Sequence, residues 1–288
     1  MTLGIALALL AAFVYGFLGI SFEIAGKRHY DIWNVMLYKQ ITGFLIGILF
    51  TAVTHGPLFH PRVLWLGLLG ATTYVITLSA YLVASRQRDI AANWTIVNLS
   101  VMLPILISIV WFKDAFTTTK AFDTVATLAS IVAIGGGLAG MGEARANAKW
   151  IRYIAVAFLF NGWLAALFRF VPEGYSGLFT VCFYGWSIPL VLIVKLIQRT
   201  HWKVEKGLIP VSVLGACTHW VGIMLTMAAL SQVGRVSGQA GVIVYPITNG
   251  LVIPVGVLLG VILLKQSIQK RTAVGVILGM AALALLSL

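Results

Sequence analysis

Gly70-Ala71-Thr72-Thr73-Tyr74 recurs as Gly215-Ala216-Cys217-Thr218-His219, and this repetition decides how the chain is read. Lys113-Asp114-Ala115-Phe116, followed by Ala121, returns as Lys265-Gln266-Ser267-Ile268, followed by Ala273. Tyr15-Gly16 has a counterpart in Asn161-Gly162. The matches keep one order and offsets of about 145 to 152 residues, half of the 288-residue chain. A long repeat in an apolar chain points to a carrier built from two related halves.

Composition sets the solvent. The chain is 60% hydrophobic and only 10% charged, with a mean hydropathy of +0.99. Crossing a bilayer core takes about 20 apolar residues as a helix. Ten such spans are predicted, at 2–25, 32–54, 62–84, 91–111, 121–140, 151–169, 176–198, 208–230, 238–264 and 271–288. Hydrocarbon offers no partner to a free N–H or C=O, so each is expected to be helical. The expected fold is all-α: a polytopic membrane protein of ten helices in two inverted five-helix repeats. Residues 1–140 form the first repeat, 141–150 the linker and 151–288 the second, all within one membrane domain.

The net charge of +12 is no sign of nucleic acid, because the basic residues sit in small groups between the spans. Counted at the span ends, fourteen Lys and Arg follow the odd-numbered spans and five follow the even-numbered ones. The positive-inside rule puts the fourteen in the cytoplasm and both termini outside. The first span has no basic residue before Glu23, unlike a cleaved leader. Cys182 and Cys217 both fall in spans, and no metal-ligand spacing is present, so neither a disulfide framework nor a cofactor is expected.

Polar and aromatic residues inside the spans are the site candidates. Glu23 near the end of the first span and Lys39 two turns into the second are expected at similar depth, as a structural ion pair or as coupling or gating groups. His219, in the middle of the eighth span, is paired by the repeat with Tyr74 in the third. Both are expected to face one central cavity, where His219 donates, accepts or titrates. Trp163 follows the repeated Gly162 and is expected to line that cavity with Tyr74 and Tyr15. Tyr81, Trp94 and Tyr245 are further aromatic candidates. Pro104 in the fourth span and Pro246 and Pro254 in the ninth are expected to bend repeat-related helices. Asn98 and Asn249 lie beside those bends, to bind solute or cap freed carbonyls. Gly136 and Gly140, Gly275 and Gly279, Gly43 and Gly47, and Gly256 and Gly260 have the spacing of close helix contacts, read as contacts within a monomer or a weak dimer.

Two five-helix halves with Tyr15-Gly16-Phe17, Asn161-Gly162-Trp163, Lys39, Pro104 and glycine-rich fifth and tenth spans resemble the drug/metabolite transporter superfamily, in its EamA-type branch. The resemblance covers the whole chain. It implies an integral protein of the cell (inner) membrane, alternating access and, by the branch's habit, export. Two positions depart from the pattern: Gly185 stands opposite Lys39 in the repeat, and Gln266 opposite Asp114.

A carrier fits better than an enzyme, which would show a catalytic cluster, or a channel or sensor, which would show a filter or a soluble domain. The expected solute is a small neutral or zwitterionic, amino-acid-like metabolite. A proton-coupled exporter of hydrophobic cations is the alternative, for which the central spans lack an acid.

Overall fold

The computed structural model describes residues 1–85, 90–118, 148–200, 202 and 204–265, and a few positions within 121–129 and 273–277. Among these residues the only regular structure is helical. The predicted fifth and tenth spans, the linker, and the glycine pairs of those two spans lie outside the described residues.

The helices are α1 (Thr2–Lys27), α2 (Ile32–Val53), α3 (Pro61–Ser85), α4 (Ile90–Leu99), α5 (Met102–Val110), α6 (Ala148–Leu167), α7 (Ser176–Gln198), α8 (Leu208–Ser237), α9 (Ala240–Tyr245) and α10 (Val252–Leu264). A 3₁₀ turn, Phe168–Phe170, extends α6, and a π-helical segment, Pro246–Gly250, joins α9 to α10. Seven segments are long and apolar enough to cross a membrane: α1, α2, α3, α6 with its extension, α7, α8, and the run from α9 through α10. The protein is therefore an all-helical chain fitted to a membrane.

Helix ends follow local chemistry. The Asp31 carboxylate accepts from the N–H groups of Trp33 and Asn34, at 2.8 and 3.2 Å, and so starts α2. Arg199 ends α7 in the left-handed conformation at φ 50°.

The two broken helices have physical causes. Pro104 cannot supply the N–H that a carbonyl one turn back needs, and the chain parts between α4 and α5 at that level. Asn161 of α6 fills the gap, donating to Ser100 Oγ at 2.8 Å and to the Val97 carbonyl at 3.3 Å. Asn98 stands beside this break, and the Ser100 carbonyl that Pro104 leaves without an N–H accepts instead from the Leu103 N–H at 2.9 Å. In the ninth span the Asn249 amide donates to the Tyr245 carbonyl at 3.3 Å within the π segment.

Glycines let the helices meet closely. Methyl groups at Gly43 and Gly47 would strike Tyr184 and Val181, and one at Gly177 would press on Thr51 and Phe50. Contact partners therefore fall on α7 as they climb on α2, so the two helices run antiparallel. Lys195 Nζ donating to Asn34 Oδ1 at 2.7 Å extends the ladder to one end. Gly4 against Val233, Gly222 against Tyr15 and Gly215 against Ser21 make α1 and α8 antiparallel by the same logic. Other main packings are α3 with α6 and α7, α2 with α8, α5 with α6, and α1 with α10. Each of α1, α2 and α3 finds its main neighbours in the second half of the chain.

The loops sort onto two ends. At one, Tyr30 donates to the Lys206 carbonyl, Trp33 to Gln198, and Trp150 to Asn93. At the other, Asp114 holds Arg169 and the Gly241 N–H, and His60 packs edge-on against Tyr175.

Candidate functional site

The central polar cluster draws on five helices. Lys39 lies seven residues beyond the start of α2, about 10 Å along its axis, and its four-carbon stem extends the reach of the ammonium. That group donates to the Tyr74 hydroxyl of α3 at 2.9 Å and lies 3.0 Å from His219 Nδ1 of α8. Tyr184 of α7 places its hydroxyl 2.9 Å from the same Nδ1. Tyr15 of α1 sets its ring 6.2 Å from the imidazole. Tyr74 stacks on the imidazole at 5.5 Å, and Phe183 meets it edge-on at 5.8 Å.

Packing fixes these groups. Tyr184 is fully buried and lies against the bare backbone of Gly43, where any side chain would collide with its ring. Tyr15 is seated on Gly222 in the same way. Lys39 is 0% exposed and His219 7%. His219 Nδ1 has one in-plane lone pair, so it accepts from Lys39 or from Tyr184 at any instant, with the ring proton on Nε2.

No acid among the described residues pairs with this cluster. Among the described acids, Glu23 pairs with Lys27 at 3.2 Å, Asp31 caps α2, Asp114 binds Arg169, Glu173 pairs with Arg235, and Glu205 lies in the loop before α8. The expected meeting of Glu23 with Lys39 is therefore not made. Lys27, one turn along the same helix, captures the carboxylate, while the Lys39 stem runs inward. No described group of His, Cys, Asp and Glu is arranged to hold a metal ion. The cluster offers an amine, phenolic hydroxyls and aromatic faces.

The remaining candidates lie elsewhere. Trp163 is 45% exposed, on a stripe of α6 with Ile151 and Leu159, so it faces outward and not toward His219. Gly162 is the cause: it packs on Leu103 and the Ser100 carbonyl, which turns the next residue away. Tyr245 is fully buried in an apolar core, with its hydroxyl on the Ala165 carbonyl at 3.1 Å. Tyr81 packs against Ala80, Ala84 and Trp150 near one end. Asn249 is engaged with its own helix, and the side chain of Trp94 lies outside the described residues. Tyr184 was absent from the sequence candidates, although it stands beside Gly185, the repeat partner of Lys39.

The fold has been seen before. One solved crystal structure superposes with a TM-score of 0.74 over 98% of this chain and 94% of its own, at 14% sequence identity. That likeness concerns the fold alone. No family model matches the chain, and no curated protein matches it.

Proposed function

We propose that the protein is a membrane carrier that moves a small neutral or zwitterionic, amino-acid-like metabolite by alternating access, most simply in the direction of export, as a monomer. The observation that carries this reading is the buried cluster of Lys39, Tyr74, Tyr184, His219 and Tyr15. It stands well inside the membrane-spanning layer and draws on helices from both halves of the chain. Repeat transporters bind their solutes at such an interface.

The antiparallel course of α2 and α7 supports inverted halves. So does the exchange of partners: α1 packs on α8 as α3 packs on α6, and α3 on α7 as α2 on α8. Breaks in the fourth and ninth spans add a further pair of related features. These points support an EamA-type arrangement of two inverted halves; the proposed outward termini rest on the distribution of Lys and Arg, and the cell inner membrane on the family resemblance. An exporter of hydrophobic cations fits less well, since its substrate would meet Lys39 with no acid beside it.

Reconstitution of the purified protein into proteoliposomes tests the proposal. Counterflow of radiolabelled amino acids should saturate and should be lost in Lys39→Met. Flux that rises linearly with concentration would mark a channel, and no protein-dependent flux of any amino acid would end the carrier reading.

A further inference from the structure

We infer that Lys39 is a carboxylate-docking residue: the solute carries one carboxylate, which pairs with the Lys39 ammonium in place of His219. This rests on reading the central cluster as the solute site and adds the chemical class to it.

The first argument is charge. A buried cation is normally matched by an anion, because moving it out of water without a partner is costly. The other Lys and Arg side chains in the described helices lie at or near helix ends; of these Lys195 is also fully buried, donating to Asn34 and Thr200, and Arg169 is paired with Asp114. Lys39 lies deeper in its helix and is fully buried, and among the described residues its hydrogen-bond partners are neutral, the Tyr74 hydroxyl and His219 Nδ1. A carboxylate supplies the missing charge and forms a charge-assisted hydrogen bond, stronger than the one it replaces. One lysine balances one unit of charge, so a monoanion or zwitterion fits better than a phosphate dianion, for which a second cation would be needed.

The second argument is that the partners can rearrange without loss. If a carboxylate takes Lys39, His219 Nδ1 keeps the Tyr184 hydroxyl at 2.9 Å as its donor. Tyr74 can then donate to the carboxylate as well. Unused hydrogen-bonding capacity stands at the same level. Gln40, the next residue of α2, is fully buried with neither amide atom bonded to protein. Thr77, one turn from Tyr74 on the same face of α3, has a buried hydroxyl in the same condition. The rings of Tyr15, Tyr74, Phe183 and Tyr184 surround the imidazole and suit an organic carboxylate with an apolar body.

The test uses the full-length purified protein and four related probes: L-phenylalanine, 3-phenylpropionate, L-phenylalaninamide and phenethylamine. Binding is read by thermal stabilisation and by saturation-transfer NMR. The two acids should bind about tenfold to a hundredfold more tightly than the amide and the amine, the range expected for one charge-assisted contact. Lys39→Gln should abolish that preference, and Lys39→Arg should restore part of it.

Equal binding of L-phenylalaninamide and L-phenylalanine would overturn the inference, as would a preference for acids that survives in Lys39→Gln. Failure of either acid to bind would also sink it. So would full competition by chloride or inorganic phosphate, which would make the site one for inorganic ions. The wild-type comparison of acid with amide decides the matter even where Lys39→Gln does not fold. Counterflow separates the two readings. Acids bound through Lys39 without saturable flux would remove the carrier and leave the docking site. Saturable flux of a non-acid, unchanged in Lys39→Gln, would do the reverse.

Discussion

Asp114→Ala should be among the most damaging single changes outside the central cluster. The Asp114 carboxylate is buried, accepts two hydrogen bonds from Arg169, and takes the Gly241 N–H at 2.8 Å. Breaking a buried ion pair from one side costs about 3–5 kcal/mol, because the surviving charge has no partner. The Arg169 side chain is 14% exposed and its guanidinium lies over the Phe112 ring at 4.3 Å, so the low end, about 3 kcal/mol, applies. Orphaning the Gly241 N–H adds about 1–3 kcal/mol. The total is about 4–6 kcal/mol. In Arg169→Met/Asp114→Ala no charge is left behind, so only the Gly241 term should remain. The assay is thermal unfolding of wild type, both single variants and the double variant in one detergent at one scan rate. At about 2–4 °C per kcal/mol, Asp114→Ala should lose roughly 8 °C or more, and the double variant clearly less. Additive losses, or a single-variant loss under about 1 kcal/mol, would show that the pair does not close this end of the bundle.

Gly43→Ala should drive a methyl group into the Tyr184 ring, costing about 1–3 kcal/mol of stability and loosening the Tyr184–His219 contact, which thermal unfolding and ligand binding report together. Asn161→Ala should cost about 1–3 kcal/mol by removing the two bonds its amide makes, to Ser100 Oγ and to the Val97 carbonyl, again read by thermal unfolding, whereas a neutral result would mean that water replaces the amide. Trp163→Ala should leave solute affinity unchanged at matched expression, since its ring lies on the outer face. In a variant freed of Cys182 and Cys217, Gly56→Cys should react with an impermeant maleimide in intact cells and Lys206→Cys should not; the opposite pattern would invert the topology.

The helices were legible in the sequence because hydrocarbon permits little else: eight of the ten predicted spans fall on described helices, within a few residues at most ends. Tyr74 and His219 were found through the repeat, which marks equivalent depths in the two halves. Lys39 was read two turns into the second span, where α2 places it, and its stem carries the ammonium on to Tyr74 and His219. Tyr184 was hidden as one tyrosine among many in an apolar run. Its importance comes from the bare backbone of Gly43 on another helix, a coincidence that no local pattern encodes. Trp163 was misplaced for a related reason. The repeated Gly162 marks a contact with α5, and a contact at one residue turns the next one away. The break falls at Pro104 as the sequence suggests, whereas the bond from the Asn161 amide of α6 across it comes from a residue remote in the chain.

The interleaving of the two halves also bears on how the protein is made. Lys39 leaves the ribosome 180 residues ahead of His219. At about 5–20 residues per second, the first half waits roughly 9–36 s in the membrane before its partner helices arrive. Throughout that interval the lysine has no imidazole to meet and α1 has no complete α8 to lie on. The insertion machinery must therefore hold a set of helices that cannot yet seal their own polar groups. Productive assembly is decided when α6, α7 and α8 emerge, late in translation.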